Sequence, residues 1–96
     1  MAANSLKVTV NEIKGTCPVY KEGDNFWIRE GFKLDTDKEL CMHSLSSIMP
    51  YYVALSKEVS PQDLGLSESE EYAYLQCLDP CEYTGGGTVV FEVELK

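Results

Sequence analysis

A chain of 96 residues with 44% hydrophobic content and a net charge of −8 is expected to form one globular domain, not a disordered segment. The charge is uneven: residues 1–57 hold seven Lys/Arg against seven Asp/Glu, whereas residues 58–96 hold nine acids against Lys96 alone. Phosphate backbones and anionic lipids repel such a C-terminal part, so nucleic acid and membrane are excluded as expected partners.

Residues 1–10 lack the basic start and apolar run of a secretory signal. No apolar run approaches the length that spans a bilayer. The expected setting is cytoplasmic and reducing, with residues 1–96 as a single domain and residues 1–5 as a disordered tail. In that setting cysteines serve as buried thiols, metal ligands or redox groups more often than as permanent disulfides.

Leu6-Lys7-Val8-Thr9-Val10 alternates apolar and polar residues, the pattern of a half-buried strand. The alternation slips at Ile13, which predicts a bulge or a strand end, and Gly15 closes the segment. Cys17-Pro18-Val19-Tyr20-Lys21-Glu22 is a connector, with a turn at Gly23-Asp24. Asn25-Phe26-Trp27-Ile28-Arg29 is a second strand with Phe26 and Ile28 inward. Phe32 and Leu34 prolong an extended segment, and Asp35–Lys38 is a polar loop.

From Cys41 the period changes. Met42, Leu45, Met49, Tyr52 and Val53 form one stripe of an amphipathic helix. Pro50 removes one hydrogen bond and clashes with the preceding turn, so the helix kinks or splits near Met49. Ser60-Pro61-Gln62-Asp63 reads as the start of a short second helix that Gly65 stops. Tyr72–Leu78 is a strand with Ala73, Leu75 and Cys77 on one face. Thr88–Leu95 is another, with Val89, Phe91, Val93 and Leu95 inward and Glu92 and Glu94 outward. The expected fold is α+β: a largely antiparallel sheet of about four strands with one kinked helix and one short helix, in the order β-β-α-α-β-β.

Cys77 and Cys81 lie at a C-x3-C spacing, within the ligand gap of structural zinc sites. They make half a site. Cys17 and Cys41 are the expected completing ligands, with His43 as a possible substitute for one of them. Four thiolates, or three thiolates and one imidazole, suit zinc or an iron–sulfur cluster. Two other readings stay open: separately buried thiols acting as small hydrophobes, and a reversible Cys77–Cys81 disulfide or other thiol redox role.

No catalytic residue is assigned. A nucleophilic Cys17 needs a base or a positive field, and Lys14 and Lys21 are near it only in sequence. The lone His43 reads more simply as a surface or satisfied side chain. Gly85-Gly86-Gly87 lacks the Lys and Ser/Thr of a phosphate loop and precedes a strand, so it reads as a hairpin turn with positive φ angles.

Several stretches together resemble a family of uncharacterised small proteins of archaea and anaerobic bacteria. They are Lys7-Val8-Thr9-Val10, Cys17-Pro18-Val19-Tyr20, Gly23-Asp24-Asn25-Phe26, Cys41 at a helix start, Cys77 at a strand end and Val89–Glu94. The resemblance covers residues 6–95. It implies a cytoplasmic microbial protein in which the cysteines have a role, and it assigns no activity. Besides metal binding, the expectation includes a non-enzymatic interaction module whose acidic part and open sheet edge meet a protein partner.

Overall fold

The computed structural model describes residues 4–96. Five strands form one antiparallel sheet: β1 (Leu6–Gly15), β2 (Asn25–Arg29), β3 (Lys33–Asp35), β4 (Tyr72–Gln76) and β5 (Gly87–Leu95). Their spatial order is β3-β2-β1-β5-β4. Two short helices, α1 (Met42–Ile48) and α2 (Tyr52–Ser56), lie between β3 and β4 in the chain.

The period-2 pattern decides which face carries the core. In one row Phe26, Val8, Val93 and Ala73 pair across four strands, and in the next Val10, Phe91 and Leu75 pair across three. All of these are buried. The register shifts between Val10 and Glu12, so that Ile13 faces Val89. This bulge returns Ile13 to the apolar face after the alternation has slipped. The opposite face carries Lys7, Thr9, Trp27, Tyr72, Tyr74, Glu92 and Glu94 and stays partly open.

The α+β class with an antiparallel sheet stands; its details differ from expectation. Leu34 is the middle residue of a true third hairpin strand, Lys33–Asp35, which starts just after Phe32 and raises the count to five. Of the two outcomes expected at Pro50, a kink or a split, the helix splits into α1 and α2, because Pro50 has no N–H for the Ser46 carbonyl. Residues 61–65 form hydrogen-bonded turns and no α-helix: Leu64 N–H reaches Ser60 O and Leu66 N–H reaches Pro61 O. The element order is therefore β-β-β-α-α-β-β.

The expected apolar stripe is also displaced. Met42 is 74% exposed and Met49 60%, while Ser44, Ile48, Leu55 and Ser56 point inward. The two buried serines are satisfied locally. Ser44 Oγ donates to Cys41 O at 2.7 Å and Ser56 Oγ to Tyr52 O at 2.6 Å. A serine paired in this way can occupy a core position.

Of the expected disordered tail, residues 1–3 lie outside the described residues. Asn4 N–H donates to Ser56 O at 2.8 Å, and Ser5 O accepts from Lys96 N–H at 2.9 Å. Among the described residues no helix is long and apolar enough to cross a membrane.

Candidate functional site

One end of the sheet carries the site. There β1 finishes with Gly15 opposite Gly87, the first residue of β5, and Thr16 N–H donates to Gly86 O at 3.2 Å. The chain then turns through Cys17 toward the helical layer. Gly87 permits this approach, since a Cβ on it would stand 2.7 Å from the Thr16 carbonyl carbon and 3.0 Å from Cys17 N. A cavity of about 130 Å³ opens beside this crossing, with Cys17, Cys41, Cys77, His43, Asp79 and Tyr20 among its walls. Three thiols from three separate segments thus share one small space: the connector after β1, the N-cap of α1, and the residue after β4.

Tyr20 is the post that holds two of these segments together. Its backbone N–H donates to Cys17 Sγ at 3.4 Å. At the other end of the side chain, its hydroxyl accepts Cys41 N–H at 2.9 Å and pairs with Ser44 Oγ at 2.8 Å. The ring packs edge-on against Phe91, with centroids 5.5 Å apart. It is buried along its whole length, because its polar tip has partners inside.

Cys77 is fixed from the sheet side. Its sulfur accepts Val89 N–H at 3.2 Å and donates to Gly87 O at 3.6 Å. Cys41 is half-buried at the start of α1, where it offers no side-chain cap. His43 is exposed and sits at the rim.

Asp79 stands at the same rim. Its carboxylate is held by the Thr84 hydroxyl and by Cys81 N–H, the latter at 2.9 Å. These bonds keep its carboxyl below the ordinary 3.8. The Thr84 hydroxyl is the largest cause; the N–H groups of Cys81 and Gly87 and the nearby His43 add to it, and desolvation opposes them. A second, shallower hollow lies on the far side of the His43–Asp79 rim, walled by Leu78, Pro80 and Thr84.

Cys81 lies elsewhere. It opens a 3-10 turn over Cys81–Tyr83 with φ at +46°. Its thiol points at the end of β1, donating to Lys14 O at 3.4 Å and Gly86 O at 3.7 Å. It does not line the cavity. All four cysteines are free thiols. As they stand, no three His, Cys, Asp or Glu side chains among the described residues are gathered closely enough to hold a metal ion.

The glycine triplet is not a hairpin turn. Ten residues separate β4 from β5, and of the three glycines only Gly85 has a positive φ, +74°. Gly87 is needed for close approach and belongs to the strand.

No family model matches the chain, and no curated protein or solved structure matches it. Residue roles therefore rest on geometry and chemistry alone.

Two residues central to the cavity carry little sequence signal. Tyr20 reads as one of several aromatics, and only its position three residues after Cys17 connects it to the site. Asp79 reads as a turn residue before Pro80.

Proposed function

We propose that the chain binds a thiophilic metal ion, zinc by preference, through Cys17, Cys41 and Cys77 with His43 as the fourth ligand. The observation that carries this reading is the shared cavity: three of four cysteines, distant in sequence, line about 130 Å³ together with the only histidine. Three thiolates and one imidazole are a known structural zinc set. Backbone N–H groups aimed at Cys17 Sγ and Cys77 Sγ complement the charge of metal-bound sulfur. A four-thiolate cluster is less well supported, since the Cys81 thiol is occupied by two carbonyls outside the cavity.

Zinc–sulfur bonds are about 2.3 Å long, so the three thiolates and the imidazole would converge on the ion inside the cavity. Tyr20 keeps the Cys17 and Cys41 segments in place while this happens. Anaerobically purified protein is expected to hold one zinc per chain. Cys17→Ser, Cys41→Ser and Cys77→Ser each lose it, while Cys81→Ser retains it. Absence of stoichiometric metal in every preparation would end the proposal. Equal loss in all four variants would instead return Cys81 to the ligand set.

A second reading, an interaction module for a basic protein partner, is favoured by the open face at β4 and β5. There Tyr74 hydroxyl donates to Glu92 at 3.0 Å, and Tyr72 lies beside Glu94. Both phenols are held above the ordinary 10.0, Tyr72 chiefly by the charge of Glu94 and Tyr74 chiefly by its bond to Glu92. A negative field of this kind selects cationic groups. The reading predicts salt-sensitive co-purification with a basic partner that the paired changes Glu92→Lys and Glu94→Lys abolish. Pull-downs at low salt that recover nothing basic would remove it.

A further inference from the structure

At the opposite edge of the sheet from β4, strand β3 has a free side. It ends the strand order, and among the described residues no backbone group outside β2 pairs with Lys33–Asp35. Unpaired edges of this kind recruit another strand unless they are blunted. Beside it an apolar groove of about 180 Å³ runs between the β2–β3 hairpin and the helices, lined by Ile28, Phe32, Leu34, Met49 and Tyr52 among others. Phe32 is 71% exposed and Leu34 50%, high values for large apolar side chains that lie next to each other.

The geometry points to a second copy of this chain as the occupant, joined by antiparallel pairing of β3 with β3. Three observations select this partner. The strand reads Lys33-Leu34-Asp35, and pairing it with itself about Leu34 sets Lys33 of each copy opposite Asp35 of the other. Oppositely charged residues directly across a pair stabilise it.

The second observation is the direction of Leu34. It pairs with Ile28, which is buried under the helical layer, so Leu34 is on the same face. A two-fold axis that makes the strands antiparallel lies perpendicular to the sheet. It therefore puts both helical layers on one side and joins the two apolar grooves across the axis.

The third is the charge distribution. All of the net −8 comes from residues 58–96, and β4 and β5, which lie in that part, are at the far edge of the sheet. Pairing through β3, whose Lys33 and Asp35 balance, keeps Glu92 and Glu94 of β5 and the acids that precede β4 away from the junction. The result is one continuous sheet of two five-stranded halves. It is independent of the thiol cavity, which lies at the end of β1 and β5.

Sedimentation velocity over a concentration series tests this with the full chain. The wild-type protein is expected to show a reversible monomer–dimer equilibrium. Lys33→Asp alone or Asp35→Lys alone sets like charges opposite each other twice about the axis, and weakens association by ~10-fold. The double change Lys33→Asp with Asp35→Lys restores it. Leu34→Glu abolishes it, with circular dichroism confirming that the fold persists.

A chain that stays monomeric at every concentration would overturn the proposal. So would a dimer indifferent to these changes, or single variants that the double change does not rescue. A monomer that captures an extended peptide along β3 would show that the edge has another occupant, and would equally overturn it.

Discussion

Tyr20 joins the core to the cavity through one side chain. Its ring belongs to the hydrophobic core, while its hydroxyl holds Cys41 N–H and Ser44 and its amide holds Cys17. Tyr20→Phe removes only the hydroxyl, which leaves Cys41 N–H without its partner and costs roughly 1–3 kcal/mol. The same change is expected to weaken zinc binding although position 20 supplies no ligand. Chemical denaturation and competitive zinc titration measure the two effects. Destabilisation with unchanged zinc affinity would reduce Tyr20 to a core residue.

Asp79 acts similarly for the 77–87 loop. Its folded carboxyl is held below the ordinary 3.8, first by the Thr84 hydroxyl. A depressed carboxyl stabilises the fold at pH above its unfolded value and loses that contribution as pH falls through the folded value. Thermal stability of the wild type should therefore drop more steeply than that of Asp79→Asn between about pH 4 and pH 2. Parallel curves would mean that the Thr84 and Cys81 bonds contribute nothing.

At the scale of elements, four of the five strands were legible, β3 read only as an extended segment, and the helices were partly so. Val8, Val10, Phe26, Ala73, Phe91 and Val93 alternate strictly, and a half-buried strand leaves no other arrangement for such a pattern. The slip at Ile13 was readable as a bulge or a strand end, and it is the bulge. The helical stripe misled already within α1, before Pro50, where Ser44 and Ile48 face inward and Met42 and Met49 stay exposed. Ser44 and Ser56 are inward because each hydroxyl finds a carbonyl within its own segment, which hydropathy does not register.

The site was legible in composition and not in grouping. Cys77 and Cys81 look like a pair because they are close in sequence. The left-handed φ of +46° at Cys81 turns its thiol toward Lys14 O instead. Cys17, Cys41 and Cys77 come together only through β1–β5 pairing and the Tyr20 post, long-range features that no spacing rule contains.

For the molecule as a whole, one sheet serves three surfaces. Its apolar face carries the helices, its open face carries Tyr72, Tyr74 and the carboxylates, and its β3 edge is the free side proposed for self-pairing. The thiol cavity sits at one end, where the connector after β1, the start of α1 and the residue after β4 meet. The central claim is that this meeting point is a metal site of three thiolates and one imidazole. The most direct measurement is titration of the reduced wild-type and Cys81→Ser proteins with cobalt(II) under anaerobic conditions, following the thiolate-to-cobalt absorption. Both proteins should saturate at one equivalent with the intensity of three thiolates, and His43→Gln should shift the visible bands. Absence of a charge-transfer band, or a four-thiolate intensity that Cys81→Ser lowers, would contradict the account.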